Sequence, residues 1–287
     1  MSTKNYMAEN QRILDEWQKA FEKNGGNADN FSWDGILFKG EVYREGGSDN
    51  WVRKESDNDT VENELWDNAP IRILFLTKDQ NVGDGGAWDS RINSFREKNS
   101  DKEDHVLSKY HNSFGKRMAY IAYGLANTTD DKDVALNVIQ SHESDVVKFI
   151  DSFSLAQINC KKEGGSASCP DELFQNALKE YEKFLEQQIE NVDADIFVCC
   201  GSTQAGYHID KANYSLDFLQ NHGYNFEYLG SKYSDLYYDA KRNKLAIDSY
   251  HLSYTGVSDQ ELYDQDVETY HKFLIDHPEF LISHRNK

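Results

Sequence analysis

Long apolar runs, cysteine and positive charge are all scarce in this chain. No stretch approaches the ~18 consecutive apolar residues of a membrane span, so no crossing of a bilayer is expected. The opening MSTKNYMAENQ has neither the charged start nor the apolar middle of a signal peptide. Only four cysteines occur, Cys160, Cys169, Cys199 and Cys200, and none stands in CxxC spacing. This argues against a secreted disulfide framework and for reduced thiols in a cytoplasmic protein. Lys and Arg number 31 against 50 Asp and Glu, a net charge of -19. Phosphate binding rests on Lys and Arg neutralising the backbone, so the deficit counts against general nucleic-acid affinity. A local basic strip can still survive on an acidic body.

Aromatic residues are plentiful: 15 Phe, 17 Tyr and 5 Trp in 287 residues, enough to fill a core although only 38% of the chain is hydrophobic. The length suits one large α/β domain with decoration. The organising stretch is Ile71–Asn81, IRILFLTKDQN. Its apolar run is too short for a helix and too uninterrupted for a sheet with one wet face, which predicts a central parallel strand covered on both sides. The run stops at Thr77-Lys78-Asp79-Gln80-Asn81 and enters Gly83-Asp84-Gly85-Gly86. That loop lacks the Gly-Lys-Ser/Thr of a phosphate loop and the spacing of a dinucleotide fingerprint.

Elsewhere, apolar spacing predicts helices over 5–23, 111–125, 132–150, 171–192 and 259–275. Short apolar runs predict strands at 153–159, 195–201 and 244–248, with a small β excursion at 225–239. Residues 31–44 look extended, 45–58 and 82–104 read as loops, and Ser202-Thr203 offers a cap for a following helix. The expected architecture is a three-layer α/β/α sandwich with a mostly parallel central sheet. Residues 1–68 form an N-terminal extension packed on a core of 69–287.

In such a sheet the polar strand ends Asp79, Asn159 and His251 converge on one edge. A carboxylate beside a histidine can orient water and donate a hydrogen bond to a leaving atom. An asparagine offers donor and acceptor together, suited to reading a base edge or another amide.

The order of these pieces resembles the uracil-DNA glycosylase superfamily. Its opening strand and short turn are matched by LFL-Thr77-Lys78-Asp79-Gln80-Asn81, and its base-reading Asn with a following basic loop by Asn159-Cys160-Lys161-Lys162-Glu163-Gly164-Gly165. A proline-initiated helix from Pro170 leads through Gln188-Ile189 to Cys200-Gly201. Ser249-Tyr250-His251-Leu252-Ser253 looks like the family's histidine motif. Three positions depart from it: Thr77 replaces a glycine, while Gln80 and Leu252 replace prolines. No cysteine precedes Cys160 and Tyr181 stands where the cluster-bearing branches place one, so no iron-sulfur cluster, other metal or cofactor is expected.

The resemblance implies hydrolysis of the N-glycosidic bond of uracil or another modified base flipped out of DNA, in repair or in anti-phage defence. Asp79 and His251 would be catalytic. Asn159 would read the base, with Tyr110 or Trp88 stacked on it, and Lys161, Lys162, Ser253 and Tyr254 would contact DNA. The acidity favours a single-stranded or otherwise specialised DNA substrate. The rival readings are a non-catalytic sensor of a base or nucleotide on the same fold, and a small-molecule hydrolase. Oligomeric state is not legible.

Overall fold

The structure is a computed structural model that describes residues 4–37, 42–44, 51–53, 61–83, 86–93, 113–166, 169–201 and 213–281. The first helix, α1 (Tyr6–Lys23), starts where the Asn5 side chain accepts the Ala8 N–H, and buries Ile13, Leu14, Trp17 and Phe21. Three short strands follow, β1 (Gly35–Leu37), β2 (Val42–Arg44) and β3 (Trp51–Arg53), then α2 (Val61–Asp67) and β4 (Ile73–Thr77). Four helices, α3 (Ser90–Asn93), α4 (Ser113–Asn127), α5 (Leu136–Ser141) and α6 (Glu143–Ser152), precede β5 (Leu155–Asn159). Next come α7 (Asp171–Glu180), α8 (Glu182–Val192), β6 (Ile196–Cys199) and α9 (Tyr214–Asn221). The chain continues through β7 (Glu227–Tyr228), β8 (Leu236–Asp239), β9 (Lys244–Asp248), α10 (Asp259–Tyr263) and α11 (Thr269–Asp276).

Seven strands form one sheet in the order β1-β5-β4-β6-β9-β8-β7, and β2 pairs with β3 separately. The four central strands, β5, β4, β6 and β9, are mutually parallel. Both edges are antiparallel: β1 on β5, and β8 and β7 beyond β9. The sheet is therefore mixed rather than mostly parallel. The four-residue connection from β8 to β9 permits only an antiparallel return, whereas the central strands are joined by helical crossovers.

Alternation along the strands divides the core in two. Ile73 and Phe75 of β4 join Val198, Ile247 and the apolar faces of α4, α6 and α11 on one side. Leu74 and Leu76 join Phe197, Ala246 and α1, α7 and α8 on the other. Helices thus cover both faces, which is why β4 carries no polar side chain before Thr77. Full burial of each of these large side chains stabilises the fold by about 1.5–3 kcal/mol.

Several elements differ in detail from expectation. The region 45–58, read as a loop, contains β3. The helix expected over 171–192 breaks at Tyr181, whose ring packs against Trp17 and Phe21. The helix expected over 132–150 starts at Leu136 and is interrupted at His142. The N-terminal segment does more than lie on the sheet, because β1 extends it. The Ser202-Thr203 cap lies outside the described residues.

At the inner end of β1 sits Asp34, which has no solvent exposure. Lys162 Nζ donates to its two oxygens at 2.6 and 2.7 Å, and lies 4.9 Å from the Trp17 ring centroid. The carboxylate also accepts from Gln188 Nε2 (2.8 Å), Asn159 N (2.9 Å) and Asn159 Nδ2 (3.0 Å). Next to it, Gly35 has φ 138°, and a Cβ there would meet Asn10 Nδ2 at 2.5 Å, so glycine is required. Burial pulls the Lys162 ammonium below its usual pKa, and Asp34 opposes that pull.

Removing one partner strands the other charge in the core. Asp34→Ala and Lys162→Met are each expected to cost about 3–5 kcal/mol in urea unfolding, and the double variant less than their sum. A wild-type midpoint for Asp34→Ala would refute this account of the network.

Candidate functional site

Strand order reverses at β4: the chain passes from β4 to β5 on one side, then crosses to β6 on the other. The crevice beyond the carboxyl ends at such a reversal is where open α/β sheets bind ligands. The loops leaving β4 and β5 continue the parallel ladder past the strands. Cys160 N donates to Thr77 O, Lys161 N to Lys78 O and Gly165 N to Gln80 O, each at 2.8 Å, and Val82 N to Gly165 O at 2.9 Å. The segment carrying Asp79 is thereby fastened along its length.

Asp79 faces inward with its side chain 8% exposed. Its Oδ2 accepts from Lys161 Nζ at 3.2 Å, and the Cys169 thiol lies close enough to help lower its proton affinity. Gly165 closes over it: a Cβ there would stand 2.6 Å from Asp79 Oδ2. Burial raises the Asp79 carboxyl above its ordinary pKa, with Lys161 opposing. The Cys169 thiol is pushed up to about 11 by its own burial and by the charge of Asp79, so it remains a donor.

His251 lies three residues beyond β9, which is separated from β4 by β6 alone. At ordinary interstrand spacing the two strand ends are roughly 10 Å apart. The imidazole is half-buried, with its centroid 5.9 Å from that of Phe114 on α4. Its Nδ1 lies 2.8 Å from Ser253 Oγ and 3.4 Å from Ser253 N. A backbone N–H can only donate, so Nδ1 is the acceptor and the proton sits on Nε2. Desolvation, helped by the nearby Lys78 charge, pushes its pKa down to about 4. The ring is therefore neutral at physiological pH.

Arg117 holds the loop that carries His251. Its guanidinium donates to Asp259 Oδ1 (2.7 Å) and to the carbonyls of Leu252 (3.1 Å), Tyr254 (2.6 Å) and Val257 (2.9 Å). Leu252 is buried, and the Tyr254 ring stacks on Tyr250 at 5.6 Å. Ser253 is exposed, with its hydroxyl on His251.

The other expected site residues fall into place less directly. Asn159 is 1% exposed: its amide N–H donates to Asp34, and its Oδ1 accepts from Thr77 Oγ1 at 2.8 Å. The amide is thus hydrogen-bonded inside the protein through both its nitrogen and its oxygen. Lys161 and Lys162 are 7% and 2% exposed, committed to Asp79 and Asp34. Both ammonium groups are thus paired inside the protein. Arg91 is likewise bidentate on Asp89. Trp88 is 39% exposed, its backbone clamped on both sides by the Gln80 amide at 2.7 and 2.9 Å. Tyr110 lies outside the described residues.

Sequence reasoning assigned no role at this site to Asp34, Lys78 or Cys169. Nothing local marks them: each acquires its role from a partner far along the chain. Among the described residues no group of three or more His, Cys, Asp and Glu is placed to hold a metal ion. No helix among them is long and apolar enough to cross a membrane.

The His251 environment has a measurable consequence. Below pH 6.5 the unfolded imidazole takes up a proton while the folded one does not until about pH 4. Stability is therefore full above pH 6.5 and falls as the pH drops toward 4, a slope that His251→Asn should lack. An NMR titration should place the His251 midpoint near 4; an unshifted midpoint would refute the desolvated site.

No protein-family model matches the chain, and neither a curated protein nor a solved structure matches it.

Proposed function

We propose that this chain hydrolyses the N-glycosidic bond of uracil or another modified base, as a divergent member of the uracil-DNA glycosylase superfamily. The observation that carries the reading is a buried carboxylate and a neutral imidazole beyond β4 and β9, on one edge of the sheet at its reversal point. Cleaving this bond builds positive charge on the sugar and negative charge on the departing base. Asp79 stabilises the first and orients water, its raised pKa bringing it nearer the working range of a general base. His251 donates from Nε2 to the base.

Repair or anti-phage defence is the setting this activity suits, with DNA carrying the base. Lys161, Lys162, Arg91 and Arg117 are satisfied internally, so these four are not offered to a duplex backbone. That supports a single-stranded or specialised substrate. The base must be out of the stack to reach a site of this kind, and the exposed Trp88 beside Gln80 is a surface on which it can stack.

A second reading is a base or nucleotide sensor without turnover. It is favoured by the ion pair that already occupies Asp79 and by the internal use of Asn159. A small-molecule hydrolase is the third, and salt separates it from a DNA enzyme, whose affinity must fall steeply as salt rises.

Base release from single- and double-stranded oligonucleotides, each with one modified base, tests the proposal. Asp79→Asn and His251→Ala should each lower abasic-site formation by about 10²–10⁴-fold. Gly165→Ala, which crowds the Asp79 carboxylate, should lower it as well. Tight binding without release would favour the sensor, and the absence of both would remove the glycosidic reading.

A further inference from the structure

We infer that Lys78 supplies the positive charge that holds the departing base as an anion, an inference that rests on the glycosidic reading above. Lys78 is the first residue beyond β4, directly before Asp79 and at the reversal of the sheet. It differs from every other cation discussed around this edge. Lys161 is paired with Asp79, Lys162 with Asp34, Arg91 with Asp89 and Arg117 with Asp259. Lys78 is half-buried, and among the described residues it has no carboxylate within ion-pair distance. Its ammonium instead stands 5.8 Å from the ring centroid of Phe174, a contact that leaves its hydrogen-bond donors free.

The charge acts on both reacting groups. Lys78 lowers the proton affinity of Asp79 and of His251, so its field reaches the two sides of the site. A neutral His251 contributes a hydrogen bond but no net charge. An anion formed beside a desolvated imidazole needs a cation as well, and Lys78 is one that has no ion-pair partner among the described residues.

The proposed step balances as follows. The C1′–N bond breaks and its electron pair stays on the base nitrogen, beside Lys78 and the Nε2–H of His251. The water oxygen bonds to C1′, and its proton passes through Asp79 to solvent. The base anion takes a proton from solvent on release. Lys78 acts by charge alone.

Binding of free uracil, 5-fluorouracil and 5-nitrouracil, bases of increasing acidity, tests this without requiring turnover. By calorimetry at one neutral pH, wild type should bind the most acidic base roughly tenfold or more tighter than uracil, the equivalent of one hydrogen bond to a charged group. The gradient should disappear in Lys78→Met and persist in Lys78→Arg. Where base release is measurable, Lys78→Met should lower kcat more for uracil than for 5-fluorouracil and leave KM nearly unchanged.

A flat gradient in wild type, no binding of any base, or a gradient that survives in Lys78→Met would overturn the inference. So would a raised KM with kcat retained, which would make Lys78 a phosphate anchor. Failure of the two proposals is distinguishable. A Lys78-dependent gradient with no base release in wild type would remove hydrolysis and keep the charge role. Base release that is indifferent to Lys78→Met would do the reverse.

Discussion

A carboxylate without access to water, Asp34, joins parts of the chain that are far apart in sequence. Through Lys162 it holds the loop after β5, through Asn159 the end of β5, and through Gln188 it reaches α8. Its backbone carbonyl accepts from Asn10 of α1 at 2.8 Å. A buried charge is tolerable only when it is paired and its remaining lone pairs are filled. The N-terminal segment, the β5 loop and α8 are thus obliged to meet here. The loop so fixed is the one that Asp79 is fastened to, so the candidate site's geometry depends on this buried pair.

Asp79 and His251 are opposite cases of the same desolvation. Burial disfavours the charged form of each, raising the carboxyl and lowering the imidazole. For the carboxylate a cation and a thiol are at hand, so charge is partly restored. For the imidazole no carboxylate among the described residues opposes the shift, and Lys78 adds to it. The edge therefore combines a compensated anion with an uncharged donor, and Lys78 adds a charge that has no ion-pair partner among the described residues.

The departures from the resembled motifs acquire physical meaning in this light. Thr77, in place of a glycine, bonds Asn159 and locks its amide. Gln80, in place of a proline, uses its whole side-chain amide to clamp the backbone of Trp88, and also reaches Ser90 Oγ at 3.0 Å. Leu252, in place of another proline, is buried while its carbonyl is held by Arg117. Rigidity that a proline ring would give locally is supplied here by hydrogen bonds from distant residues.

By itself the sequence determined the central strand, since Ile73–Leu76 cannot be satisfied except between two layers of helices. It also determined that Asp79 and His251 lie just past buried strands. Alternation and strand length are local properties, legible without a partner. Tertiary structure alone decided which polar groups face one another. Asn159, Lys161 and Lys162 have the composition of a binding loop, yet Asp34, 125 to 128 residues away, and Asp79, 82 away, turn them inward. The antiparallel edge at β1 was likewise decided by pairing between distant segments, β1 with β5. Periodicity reports the face a side chain takes; it carries no information about the charge waiting there.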